Sequence, residues 1–320
     1  MTKALVSNCV NRKKKCGSKK DAIFYFSLIA FPILQFVVFY IIVNINSILL
    51  CFQEYDLVNG GATGFRFLSG ENFFNNFKAV FQLEKVRGVQ LGVLFRNSLI
   101  IWAVSIFVGT FLAIFFSYYI YKKRTLCKFF KFFLFLPSVI PAILMTTIFK
   151  EFMMDFVSKI MANKGTEFIT TWGLIDPYSK TAFPLIVLYS IWISFGAQVL
   201  FYTNAMAQIS PALMEASEID GANHIKQLFH IVIPQILPTI ETFLIASIAG
   251  FFMNQMNLFN IYGIIDNAPK LGTIGYFIYS KAAPGAQDWY PVMSAFGICC
   301  SFIAIPAVFL LKQLTKRVTK

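Results

Sequence analysis

The sequence predicts an all-α polytopic membrane protein with six transmembrane helices. Three observations carry that reading. Of 320 residues, 57% are hydrophobic and only 13% are charged, whereas an average soluble domain is roughly 45–50% apolar and about 25% charged. Mean hydropathy is +0.66, and a chain this apolar folded in water would expose large apolar patches. Second, the chain contains six uncharged runs long enough for a spanning helix. Third, Lys and Arg are divided unevenly between the segments that join those runs. Secreted disulfide scaffolds, disordered chains and ordinary cytosolic enzymes fit poorly. With 2 His and 6 scattered Cys, a metal or redox centre is not expected.

A bilayer-spanning helix needs roughly 20 apolar residues, within a range of about 17–25. Residues 1–21 form a basic tail, and 22–318 a single six-span domain. Span one is placed at 22–44, ahead of Glu54. Span two covers 97–121, between Arg96 and Lys122, with Asn97 and Ser98 opening it. Span three, at 132–150, is short. The fourth run is longer than one span, but Pro184 and Pro211 trim it to 184–205. Span five is placed at 239–263 and span six at 289–311.

Six spans put both termini on one side, and Lys and Arg near the span ends decide which side. With the N-terminus inside, most of the 28 basic residues and only a third of the 15 acids lie on the inner face. Nearly the whole formal charge of +13 then sits there. The basic run Arg12-Lys13-Lys14-Lys15 is read as this topology signal and not as a nucleic-acid contact. The first apolar stretch is too long for a signal-peptide core of about 7–15 residues, and no small-x-small site follows it. It is therefore read as a retained anchor. Cys9, Cys16 and Cys127 fall inside and Cys299–Cys300 lie in span six. Without a Cys-x-x-Cys pair, all are expected to be free thiols.

The expected span cores hold no Asp, Glu, Lys, Arg or His, so a proton relay has no members. His224 and His230 fall in an inner loop. There is no His-Glu-x-x-His and no phosphate-binding Gly-x-x-x-x-Gly-Lys-Ser/Thr. A membrane enzyme is disfavoured, and any transport must draw its energy from another chain. Uncharged polar groups do occur. At about 100° per residue, Asn254, Asn257 and Asn260 fall on one stripe of a helical span five. Trp192 and Gln198 lie on span four. Two readings stay open for them: bonds to neighbouring helices, or the lining of a wet path for a hydroxyl-rich solute.

The most informative stretch runs from Ile209 to Pro238. Ser210 suits an N-cap and Pro211 the first helical position. A short helix should reach Asp220, and Gly221 permits a sharp break. A second short segment over 222–231 should be stopped by Pro234 and Pro238, which start span five. The small residues Ala216, Ser217, Gly221 and Ala222 would let another protein approach, with Glu215, Glu218 and Asp220 at the rim. A re-entrant turn that merely braces two spans is the alternative.

The run Glu215-Ala216-Ser217, then Gly221, then Ile231-x-Ile233-Pro234 resembles the EAA loop of binding-protein-dependent ABC importer permeases. Spacing matches throughout, with Ser217 in place of the second Ala and Ile233 in place of Leu. Ile219-Asp220-Gly221-Ala222, Phe229, Asn97-Ser98 and Phe135-Leu136-Pro137-x-x-x-Pro141 resemble the carbohydrate-uptake branch, of the maltose-type or multiple-sugar kind. The resemblance covers roughly residues 20–318 and implies a type I ABC importer permease fold. It implies that 211–234 is a coupling loop seated on a cytoplasmic ATPase. Its contact residues would be Glu215, Ala216, Ser217, Asp220, Gly221, Ala222, Phe229, Ile231 and Pro234. It also implies a second permease subunit, two ATPase copies that use ATP and Mg, and an extracytoplasmic solute-binding protein docked on outer segments 45–93, 151–182 and 261–290. This chain would bind no cofactor and carry no catalytic site. Its place would be the bacterial cell membrane, with both termini cytoplasmic. Glycerol phosphate or a polyamine is the alternative solute, and a non-transport membrane enzyme or scaffold the alternative class.

Overall fold

An apolar run in lipid has no water to bond its backbone, so it must close its hydrogen bonds within a helix. The computed structural model describes residues 19–56, 58, 64–157, 159–160, 172–264, 271–283 and 287–318. The basic tail up to residue 18, with Cys9 and Cys16, lies outside the described residues. So do parts of the expected outer segments at 161–171 and 265–270.

In chain order, α1 (Phe24–Leu50) is the first helix long and apolar enough to cross a bilayer. A small antiparallel hairpin follows, β1 (Gln53–Tyr55) on β2 (Phe65–Phe67), with Glu54 opposite Arg66. Short helices α2 (Asn75–Phe81) and α3 (Leu83–Arg87) return the chain to α4 (Leu91–Tyr121). Then come α5 (Cys127–Val139), α6 (Ala142–Val157), α7 (Ala182–Met206), α8 (Pro211–Ile219) and α9 (His224–Ala249). The remainder is α10 (Leu258–Tyr262), α11 (Ile274–Lys281) and α12 (Tyr290–Val318). The fold is all-α in architecture, with the hairpin as a minor addition.

Two expected spans differ in kind. The stretch placed at 132–150 is the pair α5 and α6, bent by 101°. Pro141 is the cause: the residue before a proline is driven out of the helical region, and Ile140 is extended, with φ −72 and ψ 135. The stretch placed at 239–263 is not one helix either. Its helix begins at His224, well ahead of 239, and Pro234 and Pro238 do not stop it. A π turn at Leu228–Val232 comes just before Pro234, which falls in the first turn of the α-helical part, where a missing amide costs little, and Pro238 lies inside that part. The helix ends instead at Ala249. Gly250 caps it, and Met256 and Asn257 take left-handed φ of 53 and 55, which no helix continues.

Helix α7 is the axis of the bundle, packed against α4, α5 and α9. One apolar cluster, including Tyr118, Val199, Tyr202, Met206, Met214, Val232 and Ile236, sits where α8 joins. Another, including Cys51, Val80, Leu83, Leu94, Phe277 and Val292, lies under the hairpin. These define an elbow end and a hairpin end. The four described cysteines, Cys51, Cys127, Cys299 and Cys300, are free thiols. Helix α1 stands apart, with none of its apolar window buried. It touches α12 through its last turns.

Backbones of α5 and α7 meet at Gly196, where an added Cβ would overlap the Leu134 carbonyl. Gly196→Leu should therefore destabilise the bundle by about 1–3 kcal/mol, read as a lower Tm of the purified protein. Gly297→Ala in α12, where nothing lies within 4 Å, should not. Equal Tm for the two variants would contradict this packing.

Candidate functional site

The elbow is built from local sequence. Pro211 occupies the first turn of α8, and Ser210 stands at the N-cap but makes no side-chain cap bond. Met214 and Ser217 turn inward, and Ser217 Oγ donates to the Met214 carbonyl at 2.7 Å. Gly221, at φ +74, closes the helix. Its N–H bonds Glu218 O at 3.1 Å, and the Ala222 N–H bonds Ser217 O at 2.9 Å. That pair of bonds is the Schellman stop, which needs a left-handed residue. Asn223 then opens α9, its Oδ1 accepting the Lys226 N–H at 2.8 Å.

Side chains brace the elbow both against the end of α4 and within itself. Tyr118 Oη donates to Gln227 Oε1 at 3.2 Å, and Gln227 Nε2 donates to Ala222 O at 3.3 Å. Lys122 Nζ lies 3.0 Å from Glu218 Oε1. The hydrogen bond and charge of Lys122 hold the Glu218 carboxyl below its ordinary value. With those groups used internally, the outward face carries Glu215, Ala216, Asp220, Gly221, Phe229 and Pro234, all exposed. Ala222 and Ile231 are half-buried. Ser217 does not belong to that face, because its side chain is buried and bonded within α8. Two residues that sequence reasoning left out do belong: Ile219 is 87% exposed and Ile225 67%. An isoleucine inside a charged loop was the signal available.

A second feature lies towards the hairpin end. A cavity of about 250 Å³ is lined by Ser98, Trp102 and Ser105 of α4, Ser247 of α9, Asn254 and Thr273, among others. Its wall is an irregular backbone held by side chains. Asn97 Nδ2 donates to Gly272 O at 2.9 Å and Ser98 Oγ accepts the Ile274 N–H at 3.0 Å. Thr273 Oγ1 donates to Asn254 O at 2.8 Å and accepts the Tyr276 N–H at 3.0 Å. Gly275 lets α11 close on this loop, since a Cβ there would overlap Met253 and Asn254 backbone. Asn97 and Ser98 are interior residues of α4 and not its opening.

Of the five residues expected to line a path, Asn254 lines this cavity. The helical stripe of Asn254, Asn257 and Asn260 does not form, because the chain leaves the helix at Gly250. Asn254 Oδ1 instead accepts the Met256 N–H at 2.9 Å, closing a turn. Asn257 is the left-handed residue before α10, and Asn260 Nδ2 reaches it at 3.5 Å. Trp192 lines a separate apolar groove of about 650 Å³ between α4 and α7. Gln198, also on α7, carries a buried Oε1 with no partner among the described residues.

A multi-pass helical bundle with a braced elbow at one end and an internal cavity that hydroxyl and amide groups reach has the architecture of a membrane transport permease. The chain belongs to the binding-protein-dependent transport system inner membrane component family, whose sequence profile matches residues 105–320. It is similar to the arabinooligosaccharides transport system permease protein AraP of Bacillus subtilis, 28% identical over 74% of this chain and 71% of that one. It is also similar to the polygalacturonan/rhamnogalacturonan permease YteP of the same organism, 25% identical over 42% of this chain. The sn-glycerol-3-phosphate permease UgpA of Pectobacterium atrosepticum is 31% identical over 36% of this chain. The matched stretch spans 41% of YteP and 39% of UgpA. A bacterial ABC transporter involved in the import of the acidic polysaccharide alginate superposes with a TM-score of 0.74, at 21% identity over 94% of this chain and 98% of its own. A second alginate transporter structure, in complex with alginate pentasaccharide-bound periplasmic protein, gives 0.72 at 20% identity over 94% and 96%. At those identities the likeness is one of fold.

Two predictions follow from the bracing. A depressed carboxylate contributes above its ordinary pKa near 4.3 and loses that contribution as pH falls through the lowered value. Lys122→Met should therefore speed amide exchange over 211–223 at pH 7 by a few-fold at most, since Glu218 is exposed. The variant should differ little from wild type at acid pH. Unchanged protection at pH 7 would remove the ion pair from the bracing. Thr273→Val leaves the Asn254 carbonyl and Tyr276 N–H without their partner, at a cost of about 1–3 kcal/mol. Its Tm should fall clearly, whereas that of Ser105→Ala should not; equal values would mean the loop is held by other contacts.

Proposed function

We propose that this chain is the transmembrane permease subunit of an ATP-driven carbohydrate importer, with an oligosaccharide as its solute. The observation that carries the reading is the elbow. It is held rigidly to α4, yet it turns two bare isoleucines and a set of small and acidic residues away from its own bundle. A soluble partner seated there would bury them. In this reading the partner is a cytoplasmic ABC ATPase, present in two copies, and Glu215, Ala216, Asp220, Gly221 and Ala222 lie at or beside the contact. Phe229, Ile231 and Pro234 belong to the second arm. ATP and Mg act in that partner, and this chain contributes a path and differential affinity without bond chemistry.

The elbow end is then cytoplasmic, as are both termini, in a bacterial cell membrane. This agrees with the excess of Lys and Arg. The hairpin end receives an extracytoplasmic solute-binding protein. A second permease would cover the bare α1 and the apolar groove that holds Trp192. The cavity's hydroxyl and amide lining suits a neutral, hydroxyl-rich solute, in keeping with the names of AraP and YteP. UgpA favours glycerol phosphate as the second reading, but the cavity lining carries no Lys or Arg to hold an anion.

Burying one isoleucine side chain is worth about 1.5–3 kcal/mol. Ile219→Asp should thus weaken ATPase co-purification by roughly ten- to a hundred-fold and abolish labelled-sugar uptake, with unchanged membrane abundance because the residue is exposed. Undiminished co-purification would place the ATPase elsewhere.

A further inference from the structure

Beside the elbow lies a small pocket of about 110 Å³, lined by Phe115, Tyr118, Tyr119, Lys122, Arg124 and His224. It has room for a phosphate group with some water and not for a nucleotide. Its wall is mostly aromatic, and basic side chains from two elements reach it. Lys122 and Arg124 come from the end of α4 and the turn after it, and His224 from the first turn of α9. Arg124 Nη2 donates to His224 Nε2 at 2.5 Å, a bond that holds the guanidinium at the pocket while leaving its charge in place. Glu218 of α8 is the carboxylate facing them, and it is engaged by Lys122. The turn that carries Arg124 is held in place: Lys123 and Leu126 have left-handed φ of 49 and 62. Such strain persists only where the surroundings over-determine it. Tyr119 Oη ties the turn back by donating to Thr125 O at 2.6 Å.

The pocket is continuous with an aromatic ridge. Phe111, Phe115 and Tyr119 are four residues apart on α4 and share one face. Phe111 and Phe115 are 58% and 52% exposed, and their rings stack at 6.5 Å. A free phosphate would use the basic groups but leave that ridge bare. A phospholipid would use both, with its head group in the pocket and its acyl chains along the rings. Basic pockets beside spanning helices are a recurrent head-group site.

The geometry points to a binding site for the phosphate of an anionic phospholipid, placed where it ties the turn after α4 to the elbow. The site does not depend on what solute is carried. Each juxtamembrane cation is worth about 1 kcal/mol towards an anionic lipid, or roughly five-fold in affinity.

The test is native mass spectrometry of the full-length protein released from mixed phosphatidylglycerol and phosphatidylcholine. Wild type should retain phosphatidylglycerol in preference to phosphatidylcholine. Arg124→Gln with Lys122→Gln should weaken that retention by at least ten-fold and leave phosphatidylcholine unchanged, while Arg124→Lys keeps it. Arg124→Gln alone, at an exposed position, should give about five-fold and serves if the double variant fails to reach the membrane. Excess inorganic phosphate should not displace the lipid. Equal retention by wild type and variants, no preference over phosphatidylcholine, or one-for-one displacement by phosphate would each overturn the proposal.

Discussion

A backbone amide or carbonyl buried in a lipid-embedded bundle finds no water, and leaving it unbonded costs several kcal/mol. This one constraint governs the rest of the structure. Continuous helices meet it automatically. Where the chain leaves the helix after Gly250, side chains must take over, and they come from three places in sequence. Asn254 closes its own turn, Thr273 bonds the Asn254 carbonyl, and Asn97 and Ser98 of α4 hold the strand of chain around Thr273. Ser98, Asn254 and Thr273, which take part in that bonding, also reach the cavity wall, beside Ile101, Trp102 and Phe251.

The elbow applies the opposite logic. Its internal polar groups are used up in bracing: Ser217 to its own helix, Gln227 to Tyr118 and Ala222, and Glu218 to Lys122. What remains outside is small, acidic or apolar, with side chains that form no ion pair among the described residues. In the proposed reading the elbow is a lever and needs that combination, because a loose elbow would absorb displacement and a buried one could not receive it. Gly221 matters for its left-handed φ and not for space, since nothing lies within 4 Å of an added Cβ. A hinge by geometry and an open approach for a neighbour coincide at that residue.

Much of this was legible in the sequence. Charge-bounded apolar runs located the spanning helices, and Pro211 and Gly221 located both ends of α8. The departures have particular causes. Pro141 bends one expected span by 101°, which counting uncharged residues does not register. Pro234 and Pro238 read as stops, but the helix that starts at His224 runs through both. Asn254, Asn257 and Asn260 read as a stripe only if helix continues past Gly250, and two left-handed residues decide that it does not. Thr273 stood out in no local pattern, because the Asn254 carbonyl it bonds lies 19 residues away. Ser217 read as an open contact because smallness does not reveal which way a side chain turns.

Everything functional here rests on the outward face of the elbow meeting a soluble motor. The most direct measurement is photocrosslinking in intact cells from a benzoylphenylalanine placed at Ile219, with a second at Phe107 on the exposed flank of α4 as reference. The account predicts one dominant adduct from position 219, with an ATPase subunit, and none from position 107. Adducts from 219 with lipid alone, or with a protein on the far side of the membrane, would contradict it.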